Sequence, residues 1–401
     1  MEDRSLGASQ NADRTLGVYL HVPFCERVCP YCDFAVVAAR RLAAADEERY
    51  VAALLAELEG RAARYAGRTL STIYFGGGTP ALLTPGSIAR LLDAVRSLFP
   101  GEVRETTLEA NPSTLERERL PAFRAAGVDR LSLGVQSFDD TTLRRLGRAH
   151  RAVEAERTIE AARAAGFANL SIDLIVGAPG QTLEGVERDL ALALAAAPEH
   201  LSVYALTLEA GTPFAKAAAS GRLRVPDDDR VADMLALAEA RLGAAGFVRY
   251  EVSNYARPGF ESRHNQRYWQ RRPVLGVGVG AHASEPADAG APFGARTANE
   301  RSLPDWLARI EAGRFAPPER EILSAETARG EAAFLALRTR RGLDAARFAA
   351  EFGGAPRRFF AATIDALVKE GLVEEHSSGD LVPGPRGLAF ADDVAARFVG
   401  S

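Results

Sequence analysis

Tyr19-Leu-His-Val-Pro-Phe-Cys-Glu-Arg-Val-Cys-Pro-Tyr-Cys-Asp-Phe34 contains all three cysteines of the 401-residue chain, Cys25, Cys29 and Cys32, in the spacing C-x3-C-x2-C. Three thiolates on one short loop can hold three corners of a metal centre. A 4Fe–4S cluster normally takes four Cys thiolates. With three, one iron stays open to a ligand that offers an amine and a carboxylate. S-adenosylmethionine (SAM) is such a ligand, and radical chemistry joins it to Fe–S clusters. The alternatives are a Cys3His zinc site using His21, a disulfide, or three unrelated thiols. Structural zinc generally draws on two separated ligand pairs. A disulfide leaves an odd cysteine, and nothing in the chain signals an oxidising compartment.

The composition sets the frame for that loop. The length suggests two or three domains, of which a barrel could take about 200–250 residues. The chain is 47% hydrophobic and 25% charged, ordinary for a soluble protein with a substantial core. A net charge of −4 argues against a dedicated nucleic-acid binder, which carries a basic bias. Met1 to Gln10 include acids and no apolar run, so no secretory signal is expected. No run of about 18 apolar residues occurs, so no membrane span is expected. The expected compartment is the cytoplasm, where thiols stay reduced.

Outward from the loop, residues 1–16 read as a disordered tail. The cysteine loop begins where a short strand, 17–22, meets Pro23. Strand patterns recur at 72–75, 103–110, 130–135, 170–176 and 200–206, separated by helical periodicities. Six strands alternating with helices predict a parallel α/β arrangement, closed or open, with its reactive face at the strands' C-terminal ends. Glu109 and Gln136 end the third and fourth strands, and Asp173 lies in the fifth. One such carboxylate could be a salt bridge or a cap. Three polar groups on successive strands, downstream of a metal loop, point to a site. Gly76-Gly77-Gly78 follows the second strand. It is either a simple sharp turn or a place where the backbone meets a ligand, and it lacks the dinucleotide fingerprint.

The cysteine loop, the GGGTP turn, Leu108-Glu-Ala-Asn-Pro112, Gly134-Val-Gln-Ser-Phe138, Leu146-Gly-Arg148 and Asp173 occur in the order seen in radical SAM enzymes of the coproporphyrinogen III oxidase group, which the chain resembles from about Gly17 to its C-terminus. The resemblance implies a partial (βα)6 TIM-like barrel and an α+β C-terminal region ending in a winged-helix-like domain. The implied domains are the barrel at 17–210, a barrel extension at 211–320 and a C-terminal helical domain at 321–401. Cys25, Cys29 and Cys32 would ligate the 4Fe–4S cluster. Tyr19 would contact SAM, and Gly77, Gly78 and Thr79 would meet its methionyl amine. Glu109, Gln136, Arg148 and Asp173 would hold its other polar groups.

Two features separate branches of the group. Porphyrinogen dehydrogenases carry a fourth cysteine two positions after the third, where this chain has Phe34. His264-Asn-Gln-Arg-Tyr-Trp269 is similar to the H-N-x-x-Y-W motif of HemW-type haem chaperones, which bind haem and pass it on. Imidazole is a common haem ligand, and Tyr268 and Trp269 offer flat faces to a macrocycle. The same pattern also suits a core histidine packed by aromatics. His282, after a Gly-rich run, is a rival ligand. The resemblance thus implies a cytoplasmic haem chaperone with a 4Fe–4S cluster, SAM and haem as cofactors. Its partners would be haem-acceptor proteins, respiratory ones among the candidates, and a homodimer is a candidate assembly. The alternative is an enzyme, a coproporphyrinogen oxidase-like protein in which reductive SAM cleavage starts radical chemistry on a tetrapyrrole. Further along, 208–227 reads as a linking excursion and 287–299 as loop. A hairpin is expected at 372–382, after a helix ending near Lys369.

Overall fold

The computed structural model describes residues 14–39, 41–384 and 386–399. Six strands carry the alternation: β1 Thr15–Val22, β2 Thr69–Gly77, β3 Glu105–Ala110, β4 Arg130–Gln136, β5 Asn169–Val176 and β6 His200–Ala205. Each lies parallel to the next. Between them run α1 Ala44–Ala62, α2 Pro85–Leu98, α3 Thr114–Ala126, α4 Asp140–Arg145, α5 Ala152–Ala164 and α6 Leu183–Ala195. Several start on a side-chain cap: Thr84, Ser113, Asp139 and Thr182 each accept a hydrogen bond from an early backbone amide.

The period-2 geometry of a strand sorts these residues onto two faces. Leu16, Val18, Leu20, Ile73, Phe75, Leu108, Leu131, Leu133, Ile172 and Leu201 are fully buried in the core shared with the helices. The residues between them are polar: Tyr19, His21, Tyr74, Glu105, Glu109, Arg130, Ser132, Ser171, Asp173, His200 and Ser202. They face the lumen, so the inside of the barrel is hydrogen-bonded and charged instead of apolar.

The barrel is open. Its sheet has twelve strands, with β1 to β6 in the middle. After α7 Asp228–Ala244 and α8 Arg263–Trp269, β7 Val274–Val277 joins β1 in parallel. It is followed by β8 His282–Glu285, β9 Ala295–Ala298 and β10 Glu319–Ile322, all antiparallel. Beyond β6 lie Asn254–Ala256 and then Val248–Arg249.

Three expectations change. Thr15 and Leu16, assigned to the tail, are strand residues paired with Thr69 and Leu70; 1–13 lie outside the described residues. The 287–299 loop contains β9, whose Ala-Arg-Thr-Ala run gives little strand signal but which pairs on both edges. The excursion at 208–227 holds a short helix, Pro213–Ala219, capped by Thr212, whose Phe214 packs against Leu146, Ile175 and Ala178. After α9 Leu303–Glu311, the helices α10 Ala325–Ala336, α11 Ala345–Phe352 and α12 Pro356–Lys369 and the hairpin Val373–Glu375/Leu381–Pro383 share a second core, including Phe348, Phe352, Phe360, Ile364 and Leu381. Among the described residues no helix is long and apolar enough to cross a membrane.

Candidate functional site

Pro23 ends β1, and the chain turns into the cysteine loop at the C-terminal end of the barrel. Phe24–Cys25 pairs in parallel with Val37–Ala38, so the base of the loop is closed by its own backbone. Cys29 is buried, whereas Cys25 and Cys32 are partly exposed. Burial pushes the Cys25 thiol up to about 11 and raises that of Cys32, so loading a metal there releases protons. Two groups from the barrel meet the sulfurs: Thr79 Oγ1 lies 3.7 Å from Cys25 Sγ, and Arg148 Nη1 donates to Cys29 Sγ at 3.7 Å.

The donor set fits an iron–sulfur cube better than one zinc ion. Among the described residues no three His, Cys, Asp or Glu side chains converge on a single ion, whereas a cube spreads its thiolates over separate irons. His21, the zinc alternative's fourth ligand, is already engaged: Nδ1 lies 3.1 Å from Tyr19 Oη and Nε2 lies 3.0 Å from the Ala35 carbonyl. Burial lowers its pKa to about 4.

The glycine turn and the strand-end acids form the wall beside this loop. Gly78 N donates to Val22 O and Thr79 N to Phe24 O, both at 2.8 Å, which ties the turn to the loop's base. Gly77 has φ +111°, and a Cβ there would lie 2.4 Å from the His21 ring; only glycine fits. Glu109 accepts from Gly77 N at 3.1 Å and from Tyr74 Oη at 2.7 Å. Burial, with Asp173 adding repulsion, pushes its pKa up to about 7. Tyr19 stacks on Tyr74 with ring centroids 6.0 Å apart. Gln136 ends β4 with φ +66°, an uncommon conformation for a non-glycine residue, and its Nε2 faces Gly134 beside Asn111 and Arg148. Arg148 Nη2 donates to the Gly134 carbonyl at 2.8 Å and to Asn111 Oδ1. Its Nε is buried with no partner.

Asp173 accepts hydrogen bonds from Ser132, Ser171 and Ser202, the last at 2.7 Å. Burial raises its pKa. The predicted residues Cys25, Cys29, Thr79, Gly77, Glu109, Gln136 and Arg148 therefore lie at or near one end of the lumen, with Asp173 deeper in. Asn111, which donates to Thr79 Oγ1 at 2.6 Å, belongs to the same wall and is absent from the residues expected there. Its position just after a strand's C-terminal end is the signal that marks it.

His264 enters the lumen from the other end, its ring centroid 5.0 Å from that of Tyr74 and 6.4 Å from that of Tyr19. Helix α8 plugs the N-terminal end of the barrel, opposite the cysteines. Glu105, the first residue of β3, accepts from the Arg263 and His264 amides at 2.9 Å each, satisfying free N–H groups at the helix start. The His264 side chain is fully buried. Its Nδ1 lies 2.9 Å from Thr72 Oγ1, and its Nε2 lies 3.1 Å from the Oη of Tyr268, one turn further along the helix. Burial drives its pKa well down. As placed, neither ring nitrogen is open to iron, which is the geometry of a structural histidine. His282, the rival, is exposed on β8.

The chain is similar to known proteins along most of its length. The radical SAM superfamily is matched over residues 19–193 and the HemN C-terminal domain over 323–390. Heme chaperone HemW of Bacillus subtilis (strain 168) is 34% identical over 384 residues, 95% of this chain and 98% of that protein. Heme chaperone HemW of Mycobacterium tuberculosis (strain H37Rv) is 39% identical over 396 residues, 98% and 97% of the two chains. The solved structure of coproporphyrinogen III oxidase (HemN) from Escherichia coli, a radical SAM enzyme, matches with a TM-score of 0.82 at 25% identity, covering 97% of this chain and 91% of that one.

Proposed function

This chain belongs to the HemW family of haem chaperones within the radical SAM superfamily, and we propose on that premise that it binds haem and hands it to acceptor proteins in the cytoplasm. The observation that carries the reading is identity to HemW proteins along nearly the whole chain. The oxidase reading is not favoured. The relatives that carry the chaperone name reach 42% identity, against 25% for the oxidase structure. Phe34, 67% exposed, also stands where the dehydrogenase branch has its extra cysteine.

In this reading Cys25, Cys29 and Cys32 hold the 4Fe–4S cluster. The cluster would supply an iron at which SAM could bind through its amine and carboxylate. The chain's own residues then orient that ligand. Glu109, braced by Tyr74 and Gly77, faces the amine as an acceptor, and Gly77, Gly78 and Thr79 shape the backbone around it. Arg148 and Gln136 offer donors to the carboxylate and ribose side, and Tyr19 walls the lumen. Asp173, clasped by three serines, closes its floor. We assign His264 to pinning α8 against the barrel.

The test is an anaerobic one. Protein reconstituted with iron and sulfide is titrated with haem and followed by its Soret band. In parallel it is incubated with reductant, SAM and coproporphyrinogen III. Haem binding without porphyrinogen turnover is expected. Turnover to protoporphyrinogen would replace the carrier reading with the enzyme one.

A further inference from the structure

The helix that carries the HNxxYW motif has two working faces. His264 and Tyr268 point into the barrel. Gln266, Trp269 and Gln270 point the other way, into a cleft of about 490 Å³ between α8 and the C-terminal unit. That volume lies within the ~300–1,000 Å³ of small-molecule sites. We propose that this cleft, and not His264, is the haem site: the ring lies along Trp269 and the Phe348–Phe352 wall, and its propionates meet Arg340 and Arg341. The inference rests on the haem-carrier reading and names its site.

Four observations carry it. The cleft carries aromatic side chains on both walls, the half-buried Trp269 on one side and, at the edge of the second core, the buried Phe348 and Phe352, ring centroids 4.6 Å apart, on the other. A flat apolar macrocycle matches such walls. Two polar atoms at the cleft are buried without partners, Trp269 Nε1 and Arg271 Nη2. The other Arg271 nitrogens are held by Glu331 at 2.7 Å and Glu351 at 2.6 Å, so the remaining one awaits an acceptor.

The charge at the mouth also fits. Arg340 and Arg341 are exposed, and the Asp380 carboxylate that Arg341 acts on is also hydrogen-bonded by Ala345 N and Ser378. The cleft's acids already have partners: Glu351 with Arg271, Asp344 in capping Arg347 N at 2.8 Å, and Glu261 in accepting from Gly259 N at 3.1 Å. Two exposed guanidinium groups at one mouth suit a ligand with two carboxylates.

Finally, no His, Cys or Met is among the described residues that line the cleft. Its one phenol, Tyr250 Oη, is shared between His200 Nε2 at 2.8 Å and Ser262 N at 3.3 Å. Iron would gain no strong side-chain ligand, and the ring would be held by its face and its carboxylates. A carrier that must release its cargo needs that kind of grip.

The test uses the full-length, cluster-loaded protein and haem titration by the Soret band. Arg340→Glu/Arg341→Glu is expected to weaken haem binding about tenfold or more, and Trp269→Ala about fivefold or more. Both variants should keep the wild-type circular dichroism and iron content, since their side chains support no core. Iron mesoporphyrin dimethyl ester, which lacks the propionate charges, should bind the wild type weakly and be indifferent to the arginine reversal. His264→Ala, checked for folding, should retain haem binding within about threefold. Wild-type binding that the cleft variants leave unchanged would overturn this site and leave the carrier reading standing. So would loss of haem in a folded His264→Ala. No Soret binding by the wild type would overturn the carrier reading itself, and this site with it.

Discussion

Glu109 Oε2 accepts a hydrogen bond from the amide of Gly77 at 3.1 Å, so the acid that ends β3 and the glycine turn that ends β2 form one wall. The bond joins two features that are ordinary apart. It fixes the carboxylate at the mouth of the lumen, on the side of the cysteine loop, where a ligand amine can meet it.

Glu109 is therefore expected to make SAM binding depend on pH. Its folded pKa is pushed up from 4.5 to about 7 by burial, so near neutrality the site is partly protonated and a poorer acceptor for the N–H groups of the amine. SAM affinity should rise as pH climbs through about 7, and Glu109→Gln should bind more weakly and flatten the profile. The same group affects folding with the opposite sign. Its stabilising contribution is fully present below 4.5 and is lost as pH rises through about 7. Without SAM, Glu109→Gln should remove that decline. Calorimetric SAM titrations and urea midpoints across this range check both halves. A wild-type profile that Glu109→Gln leaves unchanged would exclude the assignment.

Each of Cys25→Ser, Cys29→Ser and Cys32→Ser should lose most of the reconstituted iron and sulfide and, with them, tight SAM binding. Cys25 and Cys32 are partly exposed, so their substitution opens no core cavity and the apo-protein's Tm should hardly move. Iron and sulfide assays beside thermal melts separate loss of the cluster from loss of the fold. A zinc-loaded protein that keeps its metal in these variants would contradict the ligand set.

Much of this wall was legible in the sequence because its signals are local. The cysteines fall within one loop, and Glu109 and Gln136 stand where strands end. His264 was different. Its partners Thr72 and Glu105 lie 192 and 159 residues away, so no window of sequence shows that the imidazole is enclosed. The motif reads as one unit in the chain, but a helix separates residues two positions apart onto different faces. That sends His264 into the barrel and Gln266 and Trp269 into the cleft. The open sheet was equally hidden. β9 is four residues of Ala-Arg-Thr-Ala, which carry little strand propensity and gain it from neighbours on both edges.

Arg148→Lys should separate cluster chemistry from SAM binding. The guanidinium reaches Cys29 Sγ, the Gly134 carbonyl and Asn111 with one planar fork, which an ammonium cannot reproduce. Iron content should persist, because all three thiolates remain. SAM affinity should fall about tenfold for the loss of a charged donor. With one hydrogen bond to a ligand sulfur removed, the cluster potential should shift more negative. Titration of the reduced-cluster EPR signal against potential reads the last effect. An unchanged potential together with unchanged SAM affinity would make Arg148 a purely structural residue.

The last prediction concerns the far end of the barrel. Arg130, the first residue of β4, is buried with its Nε unpartnered, and Glu105 is the leading anion that favours its charge. Glu105 also holds the start of α8 through the Arg263 and His264 amides. Removing it leaves a buried cation without its leading counter-charge, with Asp173 the remaining acid that favours it, and two amides without an acceptor. Glu105→Ala should therefore destabilise the protein by about 3–5 kcal/mol. If the buried charge is the main penalty, Arg130→Met in the same chain should recover part of the loss, giving strong non-additivity in a double-mutant cycle. Urea unfolding of the four proteins measures it. Additive single effects would mean that the two side chains do not depend on each other, and that the plug is held by its amide contacts alone.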